Sequence, residues 1–423
     1  MRFLIPLLFI LLIEWLAFRS VRGVCSNLEP TTKRWVYVCY WLVFVAVIAG
    51  LLALMSFWSK RTDYATQTNY TLFNWVIGLF IISTSTKLIL SIFTLLNDIT
   101  QFGVWIKWRF FEPVQGDSHS GMTRVQFFNQ IGMVFATLWS GALMYGVARG
   151  KYQFRSEKIS LSFPNLPRSF DKIRIVQISD MHLGSFNGDV ENVIPGFEMI
   201  QSLSPDIIVF TGDLVNNFSS EAELWIPHLS SLNAPLGKFA ILGNHDYGDY
   251  AMRDMPEAKA AHQKRLAEIH AECGFRLLRN EHIKINKNDE HLTIIGSENW
   301  GLGFHQYGDL NKAMEGIRDE DFCILLSHDP THWSEDVLGR RNIPVTLSGH
   351  THGAQMGVEL PQFNIKLSPV SVRYKRWGGL YTENNQHLYI NRGFGFLAFP
   401  GRVGMPPEIT LLELSRSDIS SQE

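Results

Sequence analysis

Three functional side chains stand together at Asn244-His245-Asp246, behind Gly243 and the apolar run Lys238–Leu242. An amide, an imidazole and a carboxylate at the end of an apolar strand are poorly explained by packing. They suit a metal ligand, a proton donor and a group that orients the donor. Four more stretches have the same form, in which a short apolar run ends in ligand-type residues. Ile173–Ser179 leads into Asp180-Met181-His182, and Ile207–Thr211 into Gly212-Asp213. Cys323–Ser327 leads into His328-Asp329, and Val345–Ser348 into Gly349-His350-Thr351-His352. One such motif occurs by chance in many chains, but five in order, each at a strand end, do not. Imidazole, carboxylate and amide donors without thiolate suit Mn, Fe or Zn in a catalytic role. The four cysteines, Cys25, Cys39, Cys273 and Cys323, have no CxxC spacing and indicate neither a disulfide framework nor a thiolate site.

The elements that must position these residues lie in the second part of the chain. From about residue 156, short apolar or β-branched runs alternate with amphipathic stretches. The strands expected are Lys158–Phe163, Ile173–Ile178, Ile207–Phe210, Phe239–Leu242, Leu292–Ile295, Cys323–Leu326 and Pro344–Leu347. Helices are expected over Val190–Leu203, Glu221–Leu232 and Arg253–Cys273. This alternation predicts an α/β domain whose central sheet is covered on both faces. Ligands in such sheets bind beyond the carboxyl ends of the strands, so five tips can converge on one place. Gly212, Gly243 and Gly349 let the chain turn sharply there.

The first 150 residues read as membrane. Apolar segments span 3–18, 35–58, 72–96 and 127–147, and the middle two are long enough to cross a core of about 30 Å. A cleaved signal peptide is the alternative for the first segment, but no small-x-small site follows it. Glu14 and Lys87 lie inside the first and third segments, where charges are costly, and are expected to form an ion pair. Seven basic residues flank one face of this bundle and six the other, so the positive-inside rule does not choose its orientation. Residues 1–150 hold twelve Lys/Arg against six Asp/Glu, and the remainder 26 against 34. An acidic second domain is a poor match for nucleic acid, and no nucleic-acid partner is expected.

The series Asp180-x-His182, Gly212-Asp213, Gly243-Asn244-His245-Asp246, His328 and Gly349-His350-Thr351-His352 resembles the calcineurin-like metallophosphoesterase superfamily. The resemblance covers roughly residues 156–415 and implies a four-layer αββα sandwich of two mixed sheets. It also implies two metal ions: Asp180, His182 and His352 on one, Asn244, His328 and His350 on the other, and Asp213 bridging them. His245 would stand beside the phosphate, with Asp246 orienting it. Two metals about 3.5–4 Å apart would share a hydroxide for in-line attack on a phosphoester or pyrophosphate bond. The single difference noted from the usual pattern is Ala354-Gln355 after Gly353, where a second glycine is commoner.

The run Tyr389–Gly395 with Pro406–Leu411 resembles the membrane-associated branch of that superfamily, some members of which cleave UDP-diacylglucosamine. Arg392 and Arg402 are candidates for phosphate contacts, and Phe394–Phe399 for an acyl groove or for core packing. The sequence therefore predicts a multi-pass membrane protein of bacterial plasma-membrane type, acting on a lipid-linked or small-molecule phosphoester. A sensor or scaffold that keeps the fold without turnover is the alternative, and a nuclease a weaker third. Residues 416–423 are polar and expected to be a disordered tail.

Overall fold

In the computed structural model, residues 4–59, 67–110, 123–363 and 365–417 are described. The chain divides into two compact units, one of Met1–Asp63 with Phe73–Val147, the other of Tyr64–Leu72 with Ala148–Glu423.

The first unit is helical: α1 (Leu4–Val24), α2 (Pro30–Ser59), α3 (Gln67–Phe110) and α4 (Arg124–Ala148). Among the described residues, three stretches are long and apolar enough to cross a membrane: Pro30–Ser56, Tyr70–Phe110 and Arg124–Ala148. Helix α3 continues well beyond the apolar segment 72–96, because nothing in its polar ends breaks the helical hydrogen-bond ladder. Lys87 Nζ lies 2.6 Å from Glu14 Oε1, both side chains are buried, and the Tyr40 hydroxyl donates to Glu14 Oε2 at 2.9 Å. Ser91 and Thr94 donate to the α1 carbonyls of Ile13 and Leu16. The buried charges of α1 and α3 thus satisfy each other, as desolvated ions must.

The second unit begins with β1 (Arg155–Phe163), β2 (Ile173–Ile178), α5 (Val190–Ser202), β3 (Ile207–Phe210), α6 (Ile226–Ser231), β4 (Lys238–Ala240), α7 (Pro256–Glu272) and β5 (Phe275–Leu277). It continues through β6 (Glu281–Lys287), β7 (Glu290–Gly296), α8 (Leu310–Ala313), β8 (Cys323–Leu326) and β9 (Val345–Ser348). The last strands are β10 (Val358–Leu360), β11 (Ile365–Leu367), β12 (Gly379–Glu383), β13 (Gln386–Ile390) and β14 (Glu408–Arg416). Two six-stranded mixed sheets form, in the orders β1-β14-β2-β3-β4-β5 and β12-β13-β9-β8-β7-β6, with β10-β11 as a separate ribbon.

Strands buried on both faces explain the layers. Ile173 and Ile175 of β2 enter the core between the sheets, with Val209, Ile294, Ile324, Leu347 and Leu412. Val176 and Ile178 point the other way, into the core under α5 and α7. A third core, around Trp333, Ile295 and Leu388, covers the outer face of the second sheet. The single sheet read from periodicity is therefore two sheets, and the sandwich implied by the family resemblance is the fold. The helix expected over residues 221–232 is a 3-10 turn (Glu223–Trp225) followed by the short helix α6, and Phe394 and Phe396 are core residues rather than an open groove. Strand β14 runs to Arg416, inside the stretch expected to be tail, and residues 418–423 of that tail lie outside the described residues.

Helix α7 carries a titratable group with no chemistry attached. His270 is 2% exposed against Phe210 and Phe275, and its Nε2 has no hydrogen-bond partner among the described residues. Burial lowers its pKa to about 4 from the ordinary 6.5. The neutral form therefore stabilises the fold fully above pH 6.5, and that contribution is lost as pH falls towards 4. The shift corresponds to about 3 kcal/mol, to order of magnitude. His270→Leu keeps the apolar contacts and is expected to flatten this part of the acid limb. Thermal melts of the detergent-solubilised chain between pH 7 and 4 measure it, and an unchanged pH slope would refute the assignment.

Candidate metal centre

Every residue of the five motifs sits at the carboxyl end of a strand. Asp180 and His182 follow β2, Asp213 follows β3, and Asn244–Asp246 follow β4, all in the first sheet. His328 follows β8, and His350 and His352 follow β9, in the second. Backbone bonds lock the tips together: Asp180 N–H to Gly212 O (2.9 Å), His182 N–H to Asp213 O (3.1 Å), and Gly349 N–H to His328 O (3.0 Å).

Two groups of donor atoms result. Asp180, His182 and His352 offer atoms within 4.8 Å of one another, and so do Asp213, His328 and His350. In the first group His352 Nε2 is 3.2 Å from Asp180 Oδ1 and 3.1 Å from His182 Nε2. In the second, Asn244 Oδ1 lies 3.1 Å from His328 Nε2 and 2.8 Å from His350 Nδ1. Asp213 Oδ2 stands between the groups, 3.5 Å from His182 Nε2 and 3.2 Å from His328 Nε2.

Support for this cluster is costly and specific. Asp180, His182, Asp213, His350 and His352 all have left-handed backbones, with φ of 51°, 44°, 61°, 73° and 52°. Such residues cost of order 1–3 kcal/mol each and persist only where the surroundings over-determine them. Gly212 needs its freedom because φ is +97°, whereas Gly349 is required by close approach. A Cβ on Gly349 would lie 2.0 Å from Ser179 Oγ and 2.2 Å from Asp180 Oδ2.

The donor atoms fit divalent cations. His328 Nδ1 donates to the Thr211 carbonyl at 2.7 Å, which leaves Nε2 to face Asp213 and Asn244. His350 Nε2 meets the Tyr374 hydroxyl at 2.8 Å, which leaves Nδ1 for the same place. Asn244 Nδ2 donates to the Tyr250 hydroxyl at 2.8 Å, so its oxygen is the atom turned inward. Electrostatics agree. Burial opposes ionisation of Asp180 and Asp213, yet His352 and His328 respectively hold each carboxyl well below the usual range. Burial lowers His182 well below 6.5 and His350 to about 4, while Asp213 outweighs burial at His328 and raises it to about 10. The two buried carboxylates draw positive charge between the donors, which a proton on His328 supplies here and which a bound cation would supply in its place.

His245 and Asp246 part company. The His245 N–H donates to Asp213 Oδ1 at 2.8 Å, and its Nδ1 donates to the Asn216 carbonyl at 2.8 Å, fixing the ring so that Nε2 is the nitrogen free for other work. The expectation that Asp246 orients His245 is corrected. Asp246 accepts from the backbone N–H groups of Gly243, Asp213, Leu214 and Val215. Its carboxylate is consumed in shaping the loop that presents Asp213. Burial, reinforced by the Asp213 charge, raises it to about 7.

Arg392 and Arg402 are likewise occupied. Arg392 donates to Glu408 at 2.5 Å and Glu359 at 2.8 Å. Arg402, 2% exposed, donates to the carbonyls of Gly395, Arg392 and Met405, with Nη2 also 3.3 Å from His352 Nδ1. Both guanidinium groups brace the last loop through internal acceptors, although Arg392 Nε is buried without a partner among the described residues. Residues beyond the sequence motifs also matter here: Asn216, Tyr250 and Tyr374 orient His245, Asn244 and His350. Asn216 acts through a backbone carbonyl, which has no side-chain signature. Asp329 Oδ2, 3.5 Å from His350 Nε2, was signalled by its place beside His328.

Strand-end aspartate, asparagine and histidine ligands on a two-sheet αββα sandwich define a metallophosphoesterase. The comparisons agree: residues 173–354 match the family model for calcineurin-like phosphoesterases. Residues 1–151 match the model described as a probable calcineurin-like phosphoesterase transmembrane domain. The metallophosphoesterase YkuE of Bacillus subtilis is 33% identical over 309 residues, covering 70% of this chain and 99% of the relative. The UDP-2,3-diacylglucosamine pyrophosphatase LpxG of Chlamydia trachomatis is 35% identical over 292 residues, covering 59% and 86%. A transmembrane protein with metallophosphoesterase domain from Danio rerio is 25% identical over 284 residues, and this chain covers 60% of its length. The chain belongs to the calcineurin-like phosphoesterase family. It is a multi-pass membrane metallophosphoesterase, and that family implies divalent metal ions.

Proposed function

We propose that this chain hydrolyses a lipid-linked phosphoester or pyrophosphate at a dinuclear metal centre, with a UDP-diacylated sugar as the substrate class of first choice. One observation carries the reading: Asp213 Oδ2 stands between two separate donor groups, where one carboxylate can serve two cations. Asp180, His182 and His352 would hold one ion, and Asn244, His328 and His350 the other. When bound, the pair would supply Lewis acidity and a nucleophile for in-line attack at phosphorus. The rest falls to the chain's own groups. The Asn216 carbonyl holds His245 through Nδ1–H, so that the ring in its imidazolium form can give the Nε2 proton to the departing oxygen and return to the neutral Nδ1–H tautomer. Asp246 keeps the loop between Asp213 and Val215 in place through its backbone bonds, and Tyr250 and Tyr374 fix the inward atoms of Asn244 and His350. The membrane unit and the LpxG name together support a lipid-linked substrate.

Stripping the purified full chain with chelator is expected to abolish hydrolysis of an aryl phosphodiester. Mn, Fe or Zn should restore it at about two ions per chain by elemental analysis. UDP-diacylglucosamine in mixed micelles is expected to outcompete water-soluble diesters in kcat/KM by at least about tenfold. Metal-loaded protein that turns over none of these substrates would favour the sensor reading.

A further inference from the structure

The ribbon β10–β11 stands apart from both large sheets. Its register sets Val358 opposite Leu367, Leu360 opposite Ile365, and Glu359 opposite Lys366. Directly opposed residues share a face, so four aliphatic side chains line one side and the charged pair lies on the other. The charged side is turned to the protein. Glu359 binds Arg392 at 2.8 Å, while Lys366 donates to the Gly378 carbonyl and sits 4.7 Å over the Trp377 ring. The aliphatic side is left open, with Val358 49% and Leu367 64% exposed. Phe363 in the bend is 69% exposed, and Val372 beyond the ribbon is 94% exposed. A ribbon built for water would have the opposite polarity.

Charge identifies what covers it. Residues 356–380 hold four Lys/Arg against one Glu, in a part of the chain where acidic residues exceed basic ones. Arg373 and Lys375 are exposed beside Val372. The nearby acidic groups are neutralised, Glu359 by Arg392 and Glu383 by Arg376. With Lys366 turned to the protein and Arg376 paired with Glu383, Arg373 and Lys375 are the cations beside the aliphatic face. Apolar side chains flanked by such cations match the acyl and phosphate layers of an anionic bilayer. The chain also passes from α4 to β1 within six residues, which tethers this unit to a membrane-spanning helix.

We infer that β10–β11 and the turn after it form an interfacial docking element, inserting Phe363, Leu367 and Val372 into an anionic lipid surface. The element is continuous with the metal centre, because Tyr374, one residue after Arg373, meets His350 Nε2 at 2.8 Å. Docking there brings the donor groups to the depth of lipid headgroups. This last consequence rests on the lipid-linked reading above; the docking itself does not.

The test uses the full chain in nanodiscs. Cys39 is the exposed free cysteine, while Cys25, Cys273 and Cys323 are buried, so Cys39→Ser provides a background for site labelling. A bimane dye on Phe363→Cys is expected to be quenched by nitroxide phospholipid at least about threefold more than one on Lys264→Cys, an 81% exposed helix site. Anionic lipid should strengthen that quenching, and Arg373→Glu with Lys375→Glu should weaken it. Iodide quenching at 363 equal to that at 264, or dye contacts between two copies of the chain, would overturn the proposal. In proteoliposomes, Phe363→Ser with Leu367→Ser and Val372→Ser should lower hydrolysis of the lipid-linked substrate about tenfold and leave a soluble aryl diester within about twofold. Equal loss on both substrates would instead assign the element a purely structural role. If the unaltered chain ignores the lipid-linked substrate while Phe363 is still lipid-quenched, the substrate reading fails and the docking stands.

Discussion

Asp213→Asn is expected to lower kcat for an aryl phosphodiester by about 10³-fold or more, with loss of bound metal and a folded protein. The size follows from position. Among the described residues, Asp213 is the carboxylate with one oxygen, Oδ2, within 3.5 Å of imidazole nitrogens from both donor groups. An amide in its place keeps the shape but removes the charge shared between two cations. Metal-based charge stabilisation is worth several kcal/mol, and about 4 kcal/mol corresponds to roughly three decades of rate. Folding should survive, because Asn tolerates the left-handed backbone that this position requires, at φ 61°. Asn Oδ1 can also still accept from the His245 N–H. Elemental analysis and initial rates under saturating Mn or Zn measure the effect. A variant with two ions per chain and near-normal kcat would refute the bridging assignment.

His245→Ala should behave differently, leaving metal content unchanged while kcat falls by about 10²–10⁴-fold. The imidazole lies outside both donor groups, and its Nδ1 is committed to the Asn216 carbonyl. A proton donor matters most when the departing oxygen is a poor leaving group. The loss should therefore be much larger for an alkyl diester than for a nitrophenyl diester. Asn244→Ala supplies the contrast. It removes an oxygen 2.8 Å from His350 Nδ1 and 3.1 Å from His328 Nε2, and should reduce occupancy of one metal position. If His245→Ala empties the centre, or slows both leaving groups equally, His245 is not the proton donor.

The fold and site were legible to different degrees. Ile173–Ile178, Ile207–Phe210 and Cys323–Leu326 coincide with β2, β3 and β8, because strands buried on both faces read as unbroken apolar runs. The ribbon β10–β11 and the hairpin β12–β13 were not anticipated; their exposed or mixed faces give no clear period. The Glu14–Lys87 pair was legible because desolvated charges in a membrane helix leave few alternatives. Roles that turn on the choice of partner were harder. Asp246 was assigned to its neighbour His245, yet it serves N–H groups 31 to 33 residues away. Arg392 and Arg402 looked available for phosphate, yet Glu359, Glu408 and nearby carbonyls occupy them.

From its sequence alone this chain determined an apolar membrane segment, an α/β unit, and an ordered series of ligand-type residues at strand ends. Each of these is a local property, set by hydropathy, by strand period and by the residues that end a strand. The tertiary structure alone decided that the strands divide between two sheets and that Asp213 stands between the donor groups. It also decided that Asn216 holds His245 and that the ribbon turns its aliphatic face outward. Those outcomes depend on which distant strands lie side by side, as with the 170 residues that separate His182 from His352. Side chains with several acceptable partners take the ones that sheet pairing brings within reach, and a local pattern does not encode that pairing.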